Sequence, residues 1–215
     1  MKIDFHIHTK YSPDSITKPE DLVRKARGLG IVPAITDHYS ISCHAAMRSL
    51  GAEFIPGEEI LTNKGDLIGL YVTELIPKGI EFGEALDRIR EQGGLAYLPH
   101  MYDYGRAGAQ ASDAEASRVD VIEAFNARCL KSSYNEKAKA FAESHGLLQA
   151  AGSDSHYLFE FGSTYTESPD FDLGSPKELL KALKKAKLVT KRAPFFVRGT
   201  TTALMLGKKL FGKSL

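Results

Sequence analysis

Histidines and acids that fall just past the ends of short apolar runs constrain this chain more than any other feature. The opening run, Lys2 to His8, alternates polar and apolar side chains with the period of a strand. Residues two apart on a strand point the same way, so His6 and His8 project together. Asp14 follows past a Ser12-Pro13 turn that returns its carboxylate toward them. Ile31 to Thr36 is a second run and ends in Asp37-His38. Glu53 to Ile60 is a third and carries Glu58 and Glu59; neighbours on a strand face opposite ways, so only one of these enters a shared pocket. Leu95 to Leu98 runs into Pro99-His100, and Leu147 to Ala151 runs into Gly152-Ser153-Asp154-Ser155-His156.

Helical patterns separate these runs. Pro19 opens one that carries Leu22, Val23, Ala26 and Leu29 and stops at Gly30. Others are expected over residues 42–50, 81–92, 133–145 and 175–186, with further strands over 67–73 and 119–125. Such alternation predicts an α/β fold, a parallel sheet with helices outside. The polar groups follow strands one, two, three, five and seven, more strand ends than one crevice of an open sheet recruits. A closed barrel gathers all of its strand ends around one pocket at the C-terminal rim. A barrel-like fold of about seven strands is therefore expected over residues 1–199, followed by a basic amphipathic tail over 200–215.

Composition narrows the class. A hydrophobic share of 43% over 215 residues supplies a core. No run of about 18 apolar residues occurs, so no membrane span is expected. The start lacks a signal-peptide apolar region, and Cys43 and Cys129 are too few for a disulfide framework, so a cytoplasmic address is expected. The net charge of +1 conceals an asymmetry. Between Lys177 and Leu215 stand 11 lysines and arginines and one acid, Glu178, which leaves the remaining body acidic. An acidic body suits cations; the basic end suits a phosphate-rich partner, or is simply a solvated helix face.

The polar groups at the strand ends are His6, His8, Asp14, His38, Glu58 or Glu59, His100, Asp154 and His156, among them five of the seven histidines. His44 and His145 lie in helical segments and read as surface residues. Taken singly, Asp154 reads equally as a turn residue and His38 as a helix cap. Their joint placement at strand ends argues for metal ligation. Mixed imidazole and carboxylate ligands suit Zn, Mn or Fe better than Ca or Mg. More than four ligands imply more than one ion, with a bridging carboxylate.

This ordered set resembles the PHP (polymerase and histidinol phosphatase) family. The motifs that carry the resemblance are Asp4-Phe5-His6-Ile7-His8-Thr9 with Ser12-Pro13-Asp14, Ile35-Thr36-Asp37-His38, Pro56-Gly57-Glu58-Glu59, Pro99-His100 and Gly152-Ser153-Asp154-Ser155-His156. The resemblance implies a distorted (β/α)7 TIM-like barrel, two or three divalent metal ions and phosphoester hydrolysis. It also selects Glu59 over Glu58. It implies one ion held by His6, His8, Glu59 and Asp154, and another by Asp14, His38 and His156, with Glu59 bridging toward an ion on His100. Where many members carry a further histidine, this chain has Asp66, the candidate for an additional ligand.

Catalytic roles are expected of His100, His156 and Asp154, with the two histidines as proton sources for the leaving oxygen. Arg106 and Arg128 are the candidates for a substrate phosphate, since a guanidinium matches its oxygens in pairs. Asn126 and Cys129 leave the sixth strand at the same rim. The function expected is metal-dependent hydrolysis of a phosphomonoester or phosphodiester by a metal-activated water. The partner is a phosphorylated small molecule or a nucleic acid end. The alternatives are a nuclease, or a non-catalytic module that binds nucleic acid or protein through the tail. A barrel hydrolase of amides or lactones is disfavoured, because no lysine follows an apolar strand in the middle of the chain.

Overall fold

The structure, a computed structural model, describes residues 1–106, 110–197, 200, 201 and 204. In chain order its elements are β1 (Lys2–Ile7), α1 (Pro19–Leu29), β2 (Ile31–Ile35), α2 (Cys43–Ser49), β3 (Ile55–Thr62), β4 (Gly65–Leu70), α3 (Phe82–Glu91), β5 (Leu95–Leu98), α4 (Asp113–Ala116), β6 (Val121–Asn126), α5 (Ser132–His145), β7 (Leu148–Gly152), β8 (Tyr165–Glu167), α6 (Pro176–Leu183) and β9 (Lys187–Val189). The nine strands form one sheet in the order β7-β6-β5-β4-β3-β2-β1-β8-β9.

The sheet is barrel-shaped and nearly closed. Past the end of β7, Asp154 N–H donates to His6 O at 2.8 Å, and His8 N–H donates to Ser155 O at 2.9 Å. The strands β1–β3 and β5–β7 run parallel to their neighbours as expected. β4 does not, and pairs antiparallel with both β3 and β5. Only Asn63 and Lys64 separate it from β3, and a two-residue link turns a hairpin, whereas a parallel crossover needs a dozen or more residues. β8 and β9 were not expected; they extend the sheet antiparallel from β1.

The helices obey local rules. α1 starts on Pro19, carries Glu20 and Asp21 in its first turn, and ends on Gly30 in the left-handed region at φ 62°. In α3, Phe82, Ala85, Leu86 and Ile89 recur at helical spacing and are all buried against the sheet. One apolar cluster draws residues from all seven of β1–β7, including Ile3, Phe5, Ala34, Ile55, Leu70, Tyr97, Val121 and Ala150. This is the barrel interior, and Leu179 and Leu183 of α6 pack into it. Two further clusters pack helices on the outside, α3 and α5 in one, α1 and α2 in the other. No helix among the described residues is long and apolar enough to cross a membrane.

Candidate metal centre

The strand ends deliver their side chains to one place. Pairing between β1 and β2 slips between Asp4 and Ile7, so Phe5 joins the barrel interior while Ile7 joins the cluster under α1 and α2. Past this bulge the two imidazoles meet, with His6 Nε2 and His8 Nε2 3.0 Å apart. Glu59 Oε2 lies 3.2 Å from each. Asp154 Oδ1 stands 3.7 Å from His6 Nε2 and 3.5 Å from His8 Nε2. From the next strand end, His38 Nδ1 lies 3.2 Å from Glu59 Oε2. Asp14 Oδ2 lies 2.9 Å from His156 Nε2 and 3.5 Å from His38 Nε2. His100 Nε2 completes the ring at 3.1 Å from Glu59 Oε1.

Backbone strain marks the same rim. Non-glycine residues with positive φ include Tyr39, next to His38, together with His100 at 43° and Asp154 at 54°. Each such conformation costs on the order of 1–3 kcal/mol and persists where surrounding structure over-determines it. Gly152 is required for a related reason. A Cβ there would collide with Glu123 Oε1 and His6 Cβ.

Four groups of ligand atoms lie within 4.8 Å of one another: His8, Asp14, His38 and His156; His6, His100 and Asp154; His6, His8 and Glu59; and Glu59, Asp66 and His100. Every ligand anticipated from the sequence therefore reaches the cluster, Asp66 included. His8 stands with the Asp14 trio as well as with His6 and Glu59. Asp14 Oδ1, Asp66 Oδ1 and Asp154 Oδ1 are buried without a hydrogen-bond partner among the described residues. Orphaned carboxylate oxygens facing imidazoles are a donor set that fits borderline divalent cations.

The electrostatics are tightly linked. Burial opposes the charged form of Glu59, but His38 and His6 outweigh it and hold the carboxyl well below its usual range. Burial likewise resists charge on Asp154, and Arg106 and His6 overcome it. His38 goes up to about 9, since Glu59 and Asp14 outweigh burial. His156 goes down to about 3, because burial and then the neighbouring His8 disfavour its cation. Burial, then the charge on Glu59, pushes Asp66 up to about 6.

An outer layer orients these ligands. His6 Nδ1 lies 3.0 Å from Glu123 Oε1, which also accepts from Tyr97 O–H at 3.1 Å. His8 Nδ1 lies 3.0 Å from Ser12 Oγ, whose hydroxyl donates to Asp37 Oδ1 at 2.8 Å. A carboxylate behind a ligating imidazole fixes the ring and its tautomer. Glu123 and Asp37 were not singled out from sequence as orienting groups. The legible signal for Glu123 was an acid inside the apolar run Val121 to Phe125. Asn126 does reach the cluster, donating to Asp154 Oδ2 at 3.1 Å.

Other expectations fare differently. Arg106 pairs with Asp154 Oδ2 at 2.5 Å, and its NH1 is buried and without a hydrogen-bond partner among the described residues. Arg128 is only 3% exposed, and its guanidinium faces His156, Glu160, Val197 O and Thr201, so it presents no free fork to a substrate. Cys129 is buried, burial pushes its thiol up, and it joins no ligand group among the described residues. His44 is corrected. It is 2% exposed, with Nε2 3.0 Å from Gly57 O, because α2 packs it against β3.

Comparison with known proteins bears on the fold and the family. A family model described as PHP-associated matches residues 132–188. The uncharacterized protein MJ0417 of Methanocaldococcus jannaschii is 42% identical over 198 residues, covering 86% of this chain and 79% of its own length. A two-domain Bacteroides vulgatus protein containing a predicted PHP-like metal-dependent phosphoesterase superposes with a TM-score of 0.67 at 18% identity. The chain belongs to the PHP domain family. This PHP chain spans 64% of the Bacteroides protein, which covers 87% of it. PsfC of Pseudomonas syringae shares the PHP chain's fold over 96% of this chain and 98% of its own, with a TM-score of 0.70 at 15% identity.

Proposed function

We propose that this PHP chain is a metal-dependent phosphoesterase acting on a phosphorylated small molecule. The observation that carries the reading is the convergence of four ligand groups on Glu59, His6 and His8, with Arg106 alongside. His6, His8, Glu59 and Asp154 would hold one ion, Asp14, His38 and His156 a second, and Glu59, Asp66 and His100 a third. Mn, Zn or Fe suits this mixed donor set. The chemistry such ions would supply is a more acidic water and charge to offset the phosphoryl oxygens.

The chain's own residues supply the remainder. Arg106 brings a guanidinium edge to the ligand cluster, in reach of a phosphate's oxygens. His156, kept neutral by burial, serves as a ligand rather than a proton donor in this reading. His100, grouped with Glu59 and Asp66, is a ligand by the same argument and not the proton source expected from the sequence. The ligand rings are 0–1% exposed apart from His38 at 16%, and this narrow access favours a terminal phosphate on a small molecule over duplex nucleic acid. Lys208, Lys209 and Lys213, on which the nucleic-acid and tail-binding alternatives rest, lie outside the described residues.

The test is a screen of phosphomonoesters, phosphodiesters and short oligonucleotides with Mn, Zn and Mg after chelator treatment. Metal-restored release of phosphate from a small monoester is expected. Turnover confined to oligonucleotides overturns the small-molecule assignment, and turnover that resists the chelator overturns the metal requirement.

A further inference from the structure

The buried Arg128 connects a metal ligand to the far end of the chain. Its NH2 donates to Val197 O at 2.7 Å and to Thr201 Oγ1 at 3.3 Å. Its Nε stands 3.3 Å from Glu160 Oε1. The other oxygen of Glu160 accepts from His156 N–H and Tyr157 N–H, both at 3.0 Å. Glu160 thus holds the turn that presents His156, and Arg128 holds Glu160. The C-terminal segment is fastened to the same place by backbone and side chain. Ala193 N–H donates to Ala127 O at 2.9 Å, and Arg192 NH2 donates to Cys129 O and Leu130 O. Val197 is 0% exposed and Thr201 8%, so both side chains pack into the body of the protein.

The chemistry at the imidazole selects which of these contacts persist. Arg128 NH1 lies 2.6 Å from His156 Nδ1, and Asp154 O lies 2.8 Å from the same nitrogen. An imidazole that ligates through Nε2 carries its proton on Nδ1 and can only donate from there. That proton goes to Asp154 O. The contacts of Arg128 that serve in both tautomers are therefore the ion pair with Glu160 and the hydrogen bonds to Val197 O and Thr201 Oγ1, whereas NH1, itself a donor, has no acceptor at a protonated Nδ1.

We propose that Arg128 is a positioning residue for the metal ligand His156, acting through Glu160, and that Val197 and Thr201, which accept from its guanidinium, belong to the same support. This inference rests on the metal-binding reading above. A salt bridge this buried is costly to break from one side, so its disruption propagates to the groups it holds.

The test uses the full-length chain and counts Mn by mass spectrometry and calorimetry. His156→Ala identifies the ion held with Asp14 and His38. Arg128→Met is expected to lose that same ion, with the remaining stoichiometry kept and the affinity for it about 10–100-fold lower. A merely structural role lowers the unfolding midpoint and leaves the count unchanged. Arg128→Lys keeps the charge but not the fork, and is expected to fold with about tenfold weaker binding of that one ion, covering the case in which the Met variant does not fold. Wild-type affinity and stoichiometry in a folded Arg128→Lys or Arg128→Met overturns the proposal. A wild-type chain that binds no ion overturns the metal reading instead, so the two failures are distinct.

Discussion

Two layers of the barrel interior are equally dry and chemically opposite. In the apolar layer, Ile3, Phe5, Ile55, Leu70 and Val121 are each 0% exposed and touch one another and α6. At the rim, His6, His8 and Asp154 are also 0% exposed, but their neighbours are other ionisable groups. The apolar layer is satisfied by contact alone. The rim contains left-handed residues and, among the described residues, orphaned carboxylate oxygens beside imidazoles, a donor set that fits a divalent cation. Tyr97 joins the two, stacking its ring on Phe5 with centroids 6.0 Å apart and giving its hydroxyl to Glu123. The difference shows how a chain holds strain at a site: a consistent layer beneath it supplies the stability that the site does not.

Disrupting the rim should leave the layer below standing. Chelation, or His8→Ala, is expected to reduce phosphoester turnover to the assay background while far-ultraviolet dichroism stays native; Mn or Zn restores the chelated wild type. Disrupting the apolar layer should do the reverse. Phe5→Ala is expected to cost about 3–5 kcal/mol in denaturant unfolding, with the ion count per folded molecule unchanged. A loss of ions at full stability would show that the layers are not separable in this way.

The junction between the layers provides a sharper probe. Glu123→Gln keeps the shape of the carboxylate that orients His6 but removes its charge. Metal affinity is expected to fall about 10–100-fold, with a smaller change in unfolding midpoint than for Phe5→Ala. The smallest effect lies outside both layers. Burial keeps His44 below its usual value of 6.5, with only partial relief from Gly57. Below pH 6.5 the unfolded chain therefore binds a proton that the native ring refuses, so stability falls as pH drops, by at most about 1.4 kcal/mol per pH unit. The stability of His44→Gln should depend less on pH between 6.5 and 5, as measured by denaturant titration at each pH.

Much of this arrangement was legible in local patterns. The Pro19 start and Gly30 stop delimit α1, and the Ser112 to Glu115 capping box starts α4, where no helix was expected. Asn63-Lys64-Gly65-Asp66 has the composition of a turn, and a hairpin there makes β4 antiparallel to β3 where a parallel strand was expected. β8 and β9 are three residues each, too short for periodicity to register. His44 was read as exposed because an isolated helical segment does not reveal which of its faces meets a strand.

By itself, the sequence determined where the ionisable groups stand along the chain: at strand ends, in doublets, in an acidic body. That information is local, because the direction of a side chain on a strand follows from backbone periodicity. Only the tertiary structure decided which groups stand together and which orient them. His8 stands with Asp14, His38 and His156 because the barrel nearly closes, and Asp66 meets Glu59 because β4 turns back on β3. Glu123 lies behind His6, and Arg128 behind His156, through contacts that span 117 and 28 residues of sequence. Contacts of that kind depend on closure of the sheet, which no local pattern encodes.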